Sequence, residues 1–391
     1  MNRTKPITGE LAKLKDRIEG YAVEAGLDFF PQIFEVCDYD TINILAAQGG
    51  FPNRYPHWRF GMDYDQLSKG YAYGLQKIYE MVINTNPCYA YLLQANNWVD
   101  QKIVMAHVYG HNDFFKNNAW FSNTDRRMMD VMANHGTKIR RYMDRYGQDA
   151  VETFVDRVLS IENLLDIHEL FETPELKRNR SDTTKPAESE AQKGDGFMKD
   201  DRSQALKAFM RSKARGEKKE KGEEVGPVEE MNAERPMKGP TRDILGFLIQ
   251  HAPLEEWQSD IMACLREEAY YFLPQRITKI MNEGWASYWH SKIMTERALD
   301  ASEIIDFADK HAGVMQMGRQ NINPYKVGIE LMRDIEFRWN TGRFGKEYND
   351  CSDMKEKANW DHKTGLGQKK IFEVRRSHND ISFIDEFLTA D

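Results

Sequence analysis

His107 and His111 lie four residues apart in the run H-V-Y-G-H. On a helix that spacing sets two imidazoles one turn apart on the same face, where both can reach one metal ion. They share a stripe with Ile103 and Phe114, at spacings of four, four and three, and the stripe is otherwise apolar. Neutral imidazoles there need partners. The plainer alternative is a pair of semi-buried histidines satisfied by ordinary hydrogen bonds.

A second run, M-N-E-G-W-A-S-Y-W-H (281–290), resembles the N-E-G-[FW]-A glutamate helix of gluzincin metallopeptidases. The resemblance implies that Glu283 is the third ligand of a His107, His111 and Glu283 set. Two neutral nitrogens and one carboxylate leave an open fourth position, so the cofactor expected is a divalent metal, zinc first. The strand-like CYAYLLQ (88–94) before the helix-like 96–118 fits the zincin order of strand and then metal helix. The other reading of Glu283 is an exposed helix carboxylate, which sits uneasily beside Ile280, Met281, Trp285, Tyr288 and Trp289. In one respect the chain departs from gluzincins. Val108 stands where their general-base glutamate follows the first histidine, and a long segment separates Glu283 from the pair.

Other groups could supply catalysis. Glu267 and Glu268 are adjacent, and paired carboxylates on an apolar helix often have raised pKa values; salt bridges to Arg266 or Arg276 are the alternative. His290, seven residues after Glu283, shares its helix face and could be a ligand, a proton shuttle or a packing residue. His135 could replace Glu283 as third ligand, and Asp113 could orient an imidazole. Arg59, Arg338 and Arg343 stand beside aromatics and could bind an anionic group, or tie loops together.

The elements that must position these residues read as mainly helical. Helical spacing covers 7–26, 63–85, 96–118, 125–147 and 150–167. The aromatic loop 49–61 should pack onto something. Residues 242–272 read as one or two helices, and Pro274 suits the first turn of the next; the chain to Tyr348 is helical and then loop-like. The fold class expected is mainly α, an α+β arrangement with a small sheet around a zincin-like helical core. Residues 175–240 are dominated by charged and small residues and read as a disordered insert. It would separate an N-terminal part, 1–174, from a C-terminal part, 241–391, packed together as one core.

The 391 residues are 41% hydrophobic with a net charge of −8. Nothing in that balance gathers a phosphate backbone, so nucleic-acid binding is disfavoured. Four scattered cysteines form no CxxC pair, which argues against a thiolate zinc site or a disulfide scaffold. No apolar run suffices to cross a bilayer, and the N-terminus has no signal-like core. A reduced, cytoplasmic setting is expected.

Several phrases together resemble the SpoVR (stage V sporulation protein R) family: FPNRYPHWRFG, AHVYGHNDFFKNN, LREEAYYF, TKIMNEGWASYWH, NPYKVG and RWNTGRFG. The resemblance covers nearly the whole chain outside 175–240. It implies a bacterial cytoplasmic protein of sporulation or stress, with an AAA-type serine protein kinase and a von Willebrand-A-like protein as partners. Family members usually continue past FIDEFLTAD, so a shortened chain is expected. The resemblance implies no reaction. From the residues, the expectation is a metal-dependent hydrolase acting on an amide or peptide bond, with Glu267, Glu268 or His290 as catalytic groups. The alternatives are a regulatory scaffold without turnover and an oxygen- or iron-linked site using Glu267, Glu268, Glu283 and His290.

Overall fold

The computed structural model describes residues 4–72, 80–171, 242–318 and 322–389. The chain opens with strand β1 (Thr4–Pro6) and helix α1 (Gly9–Glu24), which buries Leu14, Ile18 and Ala22 on one face. Strand β2 (Gln32–Cys37) leads into α2 (Tyr39–Ala47), where the Asp38 carboxylate accepts from the Thr41 backbone N–H at 2.8 Å. In the aromatic loop Phe51 and Tyr55 are buried as expected, but Trp58 is exposed and already opens α3 (Trp58–Ala72).

The helix expected over 63–85 needs correcting. Its described end, Glu80–Ile83, is strand β3, which pairs antiparallel with β4 (Cys88–Leu93). The Met-Val-Ile run suits a pleated, half-buried surface. The sheet order is β1-β2-β4-β3; β2 and β4 run parallel and the other neighbours antiparallel.

Next come α4 (Trp98–Asn117), α5 (Met128–Tyr146) and α6 (Gln148–Leu159). Gly147, at φ 90°, turns α5 into α6. After the undescribed residues follow α7 (Ile244–His251), α8 (Glu256–Ile277) and α9 (Lys279–Ile293). Pro274 does not open α9, as its sequence context suggested. It lies inside α8, buried beside Leu273, and the chain breaks only at Thr278, whose hydroxyl donates to the Pro274 carbonyl at 2.6 Å. Then come α10 (Ile304–Val314) and α11 (Pro324–Thr341). Near Tyr348, where a loop was expected, lies α12 (Gly345–Asp350), followed by α13 (Met354–Ala358), α14 (Gly367–Ser377) and α15 (Asp380–Phe387).

The architecture is mainly helical with one small mixed sheet. Its central elements are α4, buried from Val104 through Phe115, and α9, buried from Met281 through His290. Helices wrapped on all sides belong at the centre of a core. The largest apolar cluster takes residues from α1, β2, β4, α4, α9, α11, α14 and α15, and a second gathers α5, α6 and α8. The described residues belong to one unit, 1–171 together with 241–391; the insert expected at 175–240 lies outside them. No helix among them is long and apolar enough to cross a membrane.

Candidate metal centre

Two close helix crossings bring the ligand candidates together. Gly110, between the two histidines, lies against Ala286, one turn beyond Glu283; a Cβ on Gly110 would stand 2.7 Å from the Ala286 Cα. Gly284, next to Glu283, meets Gly328 of α11 so tightly that a Cβ would lie 2.4 Å from its backbone. At both crossings the absent side chain lets backbones approach closely.

Across the first crossing His107, His111 and Glu283 converge, each offering a ligand atom within 4.8 Å of the others. His107 Nε2 lies 3.3 Å and His111 Nε2 3.4 Å from the same oxygen, Glu283 Oε2. All three residues are buried. The other carboxylate oxygen, Oε1, accepts from the Lys279 ammonium one turn earlier. Burial alone would raise the Glu283 carboxyl, but His111, His107 and Lys279 hold it well below the usual carboxylate range.

Both Nδ1 atoms face away from Glu283 and have partners of their own. His111 Nδ1 lies 2.9 Å from the Asn282 side-chain oxygen, and His107 Nδ1 lies 2.9 Å from His290 Nδ1. His290 Nε2 in turn lies 3.2 Å from His311 Nδ1. Burial, with the neighbouring His107 and His311, drives His290 well below the usual histidine range. The Tyr325 ring stacks on His107 at 6.1 Å, and the Lys279 ammonium lies 6.0 Å from the centre of the Tyr325 ring.

The remaining candidates fall elsewhere. Glu268 sits between His135 Nδ1 at 3.0 Å and Arg54 Nη2 at 2.6 Å, and Glu267 faces His135 Nε2 at 3.3 Å. The two carboxylates thus pair with His135 and Arg54, not with Arg266 or Arg276, and it is Glu283, not His135, that meets the histidine pair. Asp113 does not take the orienting role expected of it. Its oxygens accept from the Asp28 backbone N–H and the Trp285 indole, both at 2.8 Å, and face Arg375 at 3.3 Å. Burial pushes its carboxyl up to about 6 despite Arg375. Val108, at the position of the missing base, is buried in the main apolar cluster. Arg59, Arg338 and Arg343 tie elements together through Glu162, the Phe387 carbonyl and the Trp360 carbonyl.

Sequence reasoning missed Lys279, Asn282, Tyr325 and His311. The first two flank Glu283 on its own helix, so i, i+4 spacing and adjacency could have flagged them. Tyr325 and His311 come from later elements and carry no local signal.

These elements define a mainly helical protein with two histidines and one glutamate gathered at a buried helix crossing. The family model described as "SpoVR like protein" matches residues 7–391, and the chain belongs to the SpoVR family. One relative is "Uncharacterized protein YcgB" of Escherichia coli K12, 31% identical over 325 residues, which is 79% of this chain and 60% of that protein. The chain therefore spans only about 60% of that relative's length. No solved structure matches it.

Proposed function

We propose that His107, His111 and Glu283 hold a divalent cation, zinc by their donor set, and that the protein is a zincin-like metal-dependent hydrolase acting on an amide or peptide bond. One observation carries the reading: the 3.3 and 3.4 Å separations between each histidine Nε2 and Glu283 Oε2. Ligand atoms bound tetrahedrally at about 2.0–2.1 Å stand roughly 3.3–3.4 Å apart. A direct charged hydrogen bond would close to about 2.7–2.9 Å. Other ion pairs in the protein, such as His135 with Glu267, share this distance; what sets this site apart is that two buried imidazole nitrogens meet one carboxylate oxygen. When bound, the ion would polarise a carbonyl and make water a nucleophile at neutral pH.

The chain's own groups do the rest. Lys279 occupies Oε1 of Glu283 and leaves Oε2 for the ion. Asn282 accepts from His111 Nδ1–H, which frees Nε2 as a ligand. Half-buried Tyr325 and exposed Lys279 form the edge of the site where a substrate would approach.

A second reading is a regulatory scaffold that retains the metal centre without turnover. It is favoured by Val108 at the base position and by the engagement of Glu267 and Glu268 with His135 and Arg54. The partners it would assemble with are those the family resemblance implies, a serine protein kinase and a von Willebrand-A-like protein in the cytoplasm.

Metal analysis of the purified full chain tests the centre. Near-stoichiometric zinc is expected in the wild type, with loss in His107→Ala/His111→Ala; sub-stoichiometric metal unchanged by that double substitution defeats the proposal. Cleavage of a labelled peptide library that disappears in the same variant favours the hydrolase. Kinase binding retained in the variant, with no cleavage by either protein, favours the scaffold.

A further inference from the structure

Behind the ligand set three imidazoles from three helices stand in line. His107 on α4 meets His290 on α9 at 2.9 Å, and His290 meets His311 on α10 at 3.2 Å. The first contact joins two Nδ1 atoms, so a single proton lies between them and one neutral ring donates while the other accepts. A cation on His107 Nε2 settles the direction. The only ring proton left to His107 is then on Nδ1, and His290 Nδ1 must accept it. Neutral His290 carries its own proton on Nε2 and donates it to His311 Nδ1. Each ring's tautomer is dictated by the next.

We propose that His290 and His311 are positioning residues for the metal centre, with His311 the terminal acceptor that fixes the orientation and tautomer of His107. The proposal rests on the metal reading given above. It goes further by assigning a role to α10, which supplies no ligand. That helix is anchored for the purpose. Lys102 of α4 reaches Glu303, at the N-cap of α10, at 2.6 Å, and Asp100 of α4 takes Lys310 of α10 at 2.5 Å. Phe307 packs with Val99 and Met294 in a small apolar cluster, and its ring stacks on His311 at 5.5 Å. The two ligand histidines are thus oriented in different ways. His111 leans on Asn282, next to Glu283 on α9, while His107 leans on a chain that ends in a separate helix.

The test is zinc affinity of the full chain, measured by competition with a chromophoric chelator, for wild type, Glu283→Ala, His311→Leu and His311→Asn. Asparagine sets a carbonyl oxygen near the place of the histidine Nδ1 and keeps the acceptor; leucine removes it. His311→Leu should bind zinc about 10–100-fold more weakly, the usual cost of losing an outer partner of a ligand histidine, and His311→Asn should recover most of that loss. In the zinc-loaded wild type, ring 15N spectra should show His107 protonated at Nδ1 and His290 at Nε2. Wild-type affinity in His311→Leu, or no recovery in His311→Asn, overturns the chain while leaving the metal centre intact if Glu283→Ala still weakens binding. Affinity unchanged in Glu283→Ala overturns both.

Discussion

Burying Glu283 with His107 and His111 among apolar side chains is costly unless their charges and lone pairs are matched, and Lys279 touches only one of the carboxylate oxygens. A cation shared by the three would complete the match. Zinc at a hundredfold excess over its dissociation constant should then stabilise the fold by about 2.7 kcal/mol; calorimetry should show that gain in the wild type and not in Glu283→Gln. The second buried polar cluster makes a different prediction. Arg54 and Glu268 form an ion pair inside the protein, and Arg54→Met should cost up to about 3 kcal/mol in urea unfolding, since His135 alone would then face the buried carboxylate. Beside them His135 is pushed up to about 10: burial would lower it, but Cys264 and Glu268 prevail. Its folded value is raised, so the stability it supplies is fully present below the free-histidine value of about 6.5. That stability is lost as pH rises toward 10. Wild-type stability should fall across that window, and His135→Asn should flatten the profile. The clustering of His107, His111 and Glu283 was legible from spacing and a short motif. Glu267 and Glu268 were legible only as a pair, because Arg54 lies 214 residues from Glu268 along the chain.

At the scale of elements, the centre depends on how close three helices come. A methyl at Gly110 would press on the Ala286 backbone, and one at Gly284 on that of Gly328. Gly110→Ala, at the crossing that carries the histidines, should therefore cost roughly 1–3 kcal/mol through overpacking. It should also lower bound zinc by separating Glu283 from the histidines, an outcome that metal analysis and thermal melts can read together. A melt unchanged by the substitution would mean that the crossing is looser than described. Helices α4 and α9 were visible in the sequence as long stretches without a break, although burial on all sides leaves them little one-sided periodicity. Of the strands, β4 was visible in CYAYLLQ; β2, only QIFEVC, and β3, at the end of a helical pattern, were not. Sheet partners across many residues decide such segments more than local propensity does. Pro274 misled because α8 runs on through it to Ile277, with Leu273 and Pro274 both buried.

At the scale of the molecule, the C-terminal helices secure the two central ones. The Asp380 carboxylate at the start of α15 accepts from the backbone N–H groups of Ile280 and Met281, both at 2.9 Å, and so caps α9 from outside its own sequence. Asn118, at the end of α4, donates to the carbonyls of Arg375 and His378. Asp380→Ala should cost about 1 kcal/mol, as for other lost caps, and should be seen as a lower denaturant midpoint. No local pattern could reveal a cap supplied from a hundred residues away. One last consequence follows from the proposed ligands lying on opposite sides of residues 172–240, two before and one after. Made as separate polypeptides divided within that stretch, the halves would each hold an incomplete chelate. Zinc retention would then gauge their reunion, rising only when a mixed pair re-forms the crossing of α4 with α9.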